Sequence, residues 1–284
     1  MDTKKISWEQ AVQWLRNQPE KSELVEACYF DDPLSDAAER FSKSLEWREL
    51  KKIFPSVKGE ALDLGAGRGI ASYALAKDGW RVTALEPDPS YLVGAGAIRN
   101  LAKSSGFNIQ VVTDYSENLP FNNESFELVN CRQALHHANN LTQTCNEIFR
   151  VLKKGSVMVA SRKHVISKKK DLDQFLDSHP LHNLYGGENA YLLKEYLDAF
   201  YEAGFETVKV YQTFDSPINY FPMTEKEWIL ICLNKVTNKI SEKFVLKIFN
   251  NNNMIGRFFV KTLAIIANWR NNSPGRLYTF VAQK

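Results

Sequence analysis

Ala61-Leu62-Asp63-Leu64-Gly65-Ala66-Gly67-Arg68-Gly69-Ile70 decides the fold of this 284-residue chain. An apolar run carrying one acid, Asp63, feeds three glycines at alternate positions, and Ile70-Ala71-Ser72-Tyr73-Ala74-Leu75-Ala76 follows with helical composition. Strand, glycine turn and helix open a nucleotide-binding α/β sheet. The glycines let a bulky cofactor lie against bare backbone and supply dihedrals that side chains forbid.

Working outward, Arg81-Val82-Thr83-Ala84-Leu85 is a short β-rich run ending in Glu86-Pro87-Asp88-Pro89. Glu86 lies 21 positions after Gly65, where an acid at the second strand tip can grip both ribose hydroxyls. Such charge-assisted hydrogen bonds are worth roughly 1.5–3 kcal/mol each. A third run, Ile109 to Thr113, ends in Asp114-Tyr115, and an acid there can accept from the exocyclic amine of adenine. Taken singly, each acid reads equally well as a turn cap. Three of them in register with the glycine turn favour a nucleotide.

A dinucleotide fingerprint is G-x-G-x-x-G, whereas this chain has G-x-G-x-G with an acid two residues earlier. A nicotinamide-dependent dehydrogenase is disfavoured by that spacing. The pattern resembles the class I S-adenosylmethionine (SAM)-dependent methyltransferases. Leu119-Pro120-Phe121, Ser125 to Val129, Gln133-Ala134-Leu135-His136-His137 and Glu147 to Gly155 look like that family's ubiquinone- and menaquinone-biosynthesis-type branch. The likeness is close over residues 57–162 and loose over 190–214; Lys154 and Ser156 depart from the family's usual Pro-Gly-Gly.

The resemblance implies a Rossmann-like seven-stranded, mostly parallel sheet with helices on both faces. It also implies SAM as cofactor, with S-adenosylhomocysteine (SAH) as product. It assigns Gly65, Ala66, Gly67 and Gly69 to the methionine part of SAM, with Asp63 bracing the turn. Glu86 and Pro87 fall to the ribose, and Asp114 with the Tyr115 amide to the adenine. Arg132 or Gln133 would offer a backbone carbonyl to the ammonium or methyl. In the leader, Arg40 or Trp47 would close over the cofactor.

Bulk properties suit a cytoplasmic enzyme. No run of about 18 apolar residues is present. Met1-Asp2-Thr3-Lys4-Lys5 is followed by no apolar signal segment, and four scattered cysteines form no C-x-x-C pair. Residues 1–56 read as a helical cap, with patterns over Trp8 to Arg16, Lys21 to Phe30 and Leu34 to Phe54 broken by prolines. The catalytic body is expected over 57–214 plus 275–284, with Val157 to Ser161 as fifth strand and Ala190 to Ala203 as a helix. Phe205 to Phe214 is the expected sixth strand and Arg276 to Ala282 the last.

Some sixty residues, 215–274, then separate two strands that the family joins tightly. That insertion repeats Ile229, Leu233, Val236, Ile240, Phe244 and Ile248 at helical steps, with Lys235, Lys239, Lys243 and Lys247 on another face. Met254 to Trp269 is a second helix, apolar nearly all round. Residues 224–284 carry ten Lys+Arg against three Asp+Glu, a net +7, while the rest carries −4. The asymmetry suggests an anionic partner: a phosphorylated or lipid-linked substrate, a carrier protein, RNA or a membrane surface. The plainer reading is a solvated lysine face on a packed helix, and the insertion is taken as a substrate lid.

Methyl transfer from a sulfonium needs alignment, and a base only where the nucleophile must lose a proton. His137 and His164 are the candidate bases, while His136 reads as a structural histidine. The His136-His137 pair does not suggest a metal, because adjacent side chains diverge and no third ligand is spaced for zinc. Tyr185 and Glu188, in the polar loop 179–189, are the substrate-contact candidates, although Glu188 and Asn189 equally suit helix capping.

The expected acceptor is a small or lipid-like metabolite, methylated at oxygen, with DNA excluded. An RNA methyltransferase is the weaker alternative, because the basic residues are interleaved with few aromatics for base stacking. A non-catalytic SAM-binding scaffold is a third reading.

Overall fold

The computed structural model describes residues 5–221, 223–224, 226–230 and 254–284. The leader begins with α1 (Trp8–Arg16), whose Ser7 cap exchanges hydrogen bonds with Gln10. The pattern over Lys21 to Phe30 shortens to α2 (Ser22–Ala27), entered by a 3-10 turn at Pro19–Lys21. The long pattern over Leu34 to Phe54 breaks into α3 (Leu34–Lys43) and α4 (Leu45–Lys51). Ser44 causes the break: its backbone is extended and its Oγ accepts the Trp47 amide at 3.0 Å, which starts a new helix.

The apolar runs that follow form one sheet. Its strands are β1 (Glu60–Leu64), β2 (Arg81–Leu85), β3 (Ile109–Val112), β4 (Phe126–Arg132), β5 (Leu152–Ile166), β6 (Tyr191–Leu192), β7 (Thr207–Tyr211) and β8 (Arg276–Gln283). The order is β3-β2-β1-β4-β5-β8-β7, with β6 a two-residue addition against β5. Strands β1 to β5 run parallel, and β8 is antiparallel to both β5 and β7. The expected seven-stranded Rossmann-like sheet is present. Residues 61–64 are buried throughout, as a strand covered on both faces requires.

Helices α5 (Ile70–Lys77) and α6 (Ala95–Ser105) cover one face together with α3 and α4, around Phe41, Trp47, Leu50 and Ile98. Helix α7 (Leu141–Val151) packs on the opposite face around Ile148, Tyr196 and Phe200. Each large side chain buried in this way contributes about 1.5–3 kcal/mol. Two short helices, α8 (Asp171–Ser178) and α9 (His182–Tyr185), carry the chain across the carboxyl ends of the strands.

Three boundaries differ from the sequence reading. Strand β5 extends well beyond Val157 to Ser161, so Arg162, Lys163 and His164 lie within a strand instead of after it. The helix expected from Ala190 is α10 (Leu193–Ala203), because Tyr191 and Leu192 pair with Val165 and Ile166. Strand β7 is shorter than Phe205 to Phe214.

In the insertion, residues 226–230 are helical, and the expected lysine face over Lys235 to Lys247 lies outside the described residues. Helix α11 (Met254–Arg270) is present, and its Leu263 and Ala264 bury against Tyr220, Trp228 and Ile229. Among the described residues, no helix is long and apolar enough to cross a membrane.

Candidate active site

The sheet reverses its winding between β1 and β4, and a crevice opens there at the carboxyl ends of the strands. A cavity of about 550 Å³ occupies it. Asp63 lies beneath, fully buried, with Oδ2 accepting from Ser72 Oγ at 2.6 Å and Oδ1 from Asn130 Nδ2 at 2.8 Å. It ties β1 to α5 and β4, and burial raises its pKa.

Gly65 and Gly67 sit in the left-handed region at φ 68° and 55°. A Cβ on Gly65 would stand 2.3 Å from Ala134 Cβ, whereas at Gly67 nothing comes nearer than 3.9 Å. Both line the cavity with Ala66, Glu86, Pro87 and Tyr115.

Glu86 is 8% exposed and works in two directions. Its Oε2 accepts the Gly67 amide at 2.7 Å and its Oε1 the Asp88 amide at 3.0 Å. Burial raises its pKa to about 7 against these hydrogen bonds. A buried carboxylate at the wall, with no cation beside it among the described residues, fits a ligand that brings hydroxyl donors. The bare Gly67 backbone fits one that lies flat on the turn. Both features suit SAM.

Two predicted contacts fall elsewhere. Gly69 caps α5 and packs under Ile98, outside the cavity wall. Asp114 follows β3, but its Oδ1 is taken by the Tyr115 amide at 2.8 Å, and Tyr115, Ser116 and Glu117 form that part of the wall.

Arg132 and Gln133 reach the cavity, yet the Arg132 guanidinium turns to Glu46, with Nε to Oε1 at 2.7 Å and Nη2 to Oε2 at 3.1 Å. Arg162 Nη1 holds Oε2 of Glu46 at 2.9 Å. Burial opposes charge on Glu46, and the two arginines outweigh it, so the acid stays ionised. Nothing in the sequence marked Glu46, one of many acids in the leader.

The leader roofs the cavity with Trp8, Leu15, Leu24, Tyr29 and Phe30. Arg68 fastens it: Nη1 donates to the Tyr29 and Asp31 carbonyls at 2.9 and 3.0 Å, and Nη2 pairs with Asp32 at 2.5 Å. The residues expected to close over the cofactor point away. Trp47 is buried with its Nε1 on Asp78, and Arg40 pairs with Asp31.

The far wall is built from histidines and one acid. Strand β5 carries one extra residue against β8 between Ala160 and Lys163, with Arg162 at φ 58°. This bulge re-aims the residues after it, and His164 faces the cavity. Its Nδ1 donates to the Gly275 carbonyl at 2.7 Å, which leaves the lone pair on Nε2. Burial lowers its pKa to about 4.

His137 is exposed, and its Nδ1 donates to the Gly187 carbonyl at 2.8 Å. His136 is buried, and burial holds its pKa well below the usual imidazole value. Glu188 does not cap a helix. It is clamped by the Tyr185 hydroxyl and faces His136 Nε2 at 3.5 Å and His179 Nε2 at 3.6 Å. Burial pushes Glu188 up, but its hydrogen-bonded and imidazole neighbours outweigh this and hold it below the usual carboxylate range. Tyr185 is pushed above the usual phenol range by burial and by Glu188, so it stays a donor.

Residues 62–160 match a protein-family model described as a methyltransferase domain. The chain is 25% identical over 160 residues to the uncharacterized methyltransferase YcgJ of Bacillus subtilis, covering 48% of this chain and 58% of that one. It is 30% identical over 160 residues to the glycine/sarcosine/dimethylglycine N-methyltransferase of Actinopolyspora halophila, covering 55% and 28%. The chain thus spans less than two thirds of the length of either curated relative.

The fold superposes on phosphoethanolamine N-methyltransferase 2 of Haemonchus contortus, solved with SAH, with a TM-score of 0.58 at 16% identity. That match covers 98% of this chain and 60% of that one. Residues 62–160 are therefore a class I SAM-dependent methyltransferase domain, with SAM as its cofactor. These likenesses do not single out the ubiquinone- and menaquinone-type branch.

Proposed function

We propose that this chain methylates a hydroxyl oxygen of a small or lipid-like metabolite. One observation carries the reading: the glycine turn with Glu86 and the wall holding His137, Tyr185 and Glu188 line the same cavity. Bound SAM supplies a methyl group activated by its positively charged sulfur. The chain's own task is alignment, worth roughly 7–11 kcal/mol.

Glu86 and the backbone at Gly65 and Gly67 orient the cofactor, and Trp8, Tyr29 and Phe30 exclude water. His137 Nε2 carries the lone pair left by the Gly187 hydrogen bond, and it takes the hydroxyl proton. Tyr185 and Glu188 position the acceptor.

A second cavity of about 360 Å³ shares Phe221 and Leu277 with the first and is lined by Phe214, Met223, Leu263 and Ile266. It supports an acceptor with an apolar tail, and Arg270 and Arg276 in its wall suit an anionic group. SAH should bind in the micromolar range, and Glu86→Ala should lose most of that affinity. Metabolite extracts incubated with isotopically labelled SAM, read by mass spectrometry, should yield an O-methyl product. His137→Ala should lower kcat and leave SAH affinity unchanged. An N-methyl product would overturn the oxygen assignment, and an absence of SAH binding would overturn the reading itself.

A further inference from the structure

Three side chains from distant segments converge on the cavity's far wall. His136 comes from the turn after β4, His164 from the bulged end of β5 and Glu188 from the loop before β6. Their ligand atoms all lie within 4.8 Å of one another. The sequence showed no third ligand beside His136 and His137, because the ligands stand 24 or more positions apart.

We infer that His136, His164 and Glu188 bind one divalent transition-metal ion, with an open coordination position facing the acceptor. Two imidazoles and one carboxylate with a free position form a ligand set that suits Zn²⁺ and its first-row neighbours. The inference rests on the proposed methyltransferase reading only for what the open position faces.

The spacing of His136 and Glu188 suits a shared ion. A charge-assisted N–H to carboxylate bond is about 2.7–2.9 Å long. His136 Nε2 and Glu188 Oε2 stand 3.5 Å apart. Two ligands each roughly 2.1 Å from a tetrahedral ion are separated by about 3.4 Å.

The outer contacts of His164 and Glu188 agree. Metal-binding histidines hold the other ring nitrogen to a carbonyl or carboxylate, and ligating carboxylates are themselves hydrogen-bonded. His164 Nδ1 does this with the Gly275 carbonyl, so Nε2 is free to coordinate. The Tyr185 hydroxyl holds Oε1 of Glu188, leaving Oε2 toward His136.

His179 belongs outside the ligand set. Its Nδ1 accepts from the Leu181 amide at 3.4 Å, so its Nε2 carries the hydrogen and faces Glu188 Oε1 as a donor. Among the described residues His136 has no such partner on its Nδ1, and its ring packs 4.1 Å from His137 and 4.8 Å from His164 between centroids.

The test is titration of chelator-treated protein at pH 7.5 with Co²⁺, followed by the absorption bands of a low-symmetry site, and with Zn²⁺ in competition. One equivalent should bind per chain. Glu188→Gln and His164→Gln should each weaken binding at least a hundredfold, and Tyr185→Phe, which keeps every ligand, by 10–100-fold. His182→Ala should bind as the parent does.

SAH titration and far-UV circular dichroism of the same proteins keep the two proposals apart. Should a ligand variant lose its fold, Tyr185→Phe decides. Wild-type protein that takes up no stoichiometric ion while binding SAH would overturn the metal site and leave the methyltransferase reading standing, as would a Glu188→Gln protein of unchanged Co²⁺ affinity. Metal uptake without SAH binding would do the reverse.

Discussion

The Gly67 amide donates to Oε2 of Glu86 at 2.7 Å, so the glycine turn and the acid at the tip of β2 are one unit. The same buried carboxylate must hold the turn and receive the ribose hydroxyls. In the free protein burial raises its pKa from 4.5 to about 7. Protonation therefore adds stability below pH 4.5, and that contribution is lost as pH rises through 7. Ribose hydroxyls donate more strongly to the ionised form, so ligand binding has the opposite pH dependence. SAH affinity should rise roughly tenfold from pH 6 to pH 8, the change in ionised fraction for a group titrating near 7. Calorimetry in buffers of different ionisation enthalpy should register proton release below pH 7. An affinity that is flat across this range would exclude Glu86 as the linked group.

The two cavity-lining glycines should respond differently to a methyl group. At Gly65 an alanine meets Ala134 at 2.3 Å and a left-handed backbone, costing about 1–2 kcal/mol for the dihedral and about 1–3 kcal/mol for overpacking. At Gly67 the space is open and only the dihedral cost applies. Gly65→Ala should lower the melting temperature clearly more than Gly67→Ala. Gly67→Ala should fold and still bind SAH poorly, because its methyl enters the cofactor's space. Thermal melts beside SAH titrations check both halves.

How much of this was legible in the sequence depended on distance along the chain. The glycine turn, Asp63 and Glu86 are fixed by spacing within one βαβ unit, where strand period and turn chemistry act locally. The mostly parallel seven-stranded sheet was implied by the family resemblance that these residues carry. The histidine–glutamate wall was not legible as a unit. It depends on one extra residue in β5, and Arg162-Lys163-His164 reads as a charged loop until β8 is known to pair beside it. Asp114 stands off the cavity wall with Oδ1 on the next amide, a local contact that spacing does not reveal. Glu46 carried no signal, since its meaning comes from two arginines 86 and 116 positions away.

Arg68 ties the 29–32 stretch of the leader to the cofactor turn, so that tie can be tested by one substitution. Arg68 is buried and satisfies two leader carbonyls and Asp32. Arg68→Ala should cost about 2–3 kcal/mol, the worth of one or two hydrogen bonds to a charged group. Proteolysis within residues 17–33 should accelerate, and SAH affinity should fall, because the roof residues Tyr29 and Phe30 lose their anchor. A variant with unchanged cleavage rate would show that the other contacts of the leader, its packing around Ala11, Val12 and Leu15 among them, hold this stretch without Arg68.

Lys163, fully buried in the β5 bulge, has its Nζ 3.7 Å from the Cys131 sulfur. Burial lowers its pKa from 10.5 to about 8. Below pH 8 the ammonium is charged in both the folded and the unfolded chain, and the burial penalty is present in full. Between pH 8 and 10.5 the unfolded chain binds the extra proton, so stability rises with pH across that window. At about 1.4 kcal/mol per pH unit the penalty is about 3 kcal/mol at most. Lys163→Met keeps the length of the side chain and removes the charge. Its denaturation midpoint at pH 7 should exceed that of the parent, and the two should converge toward pH 10.5. A variant less stable than the parent at pH 7 would mean that the ammonium has a function in the site that outweighs its burial.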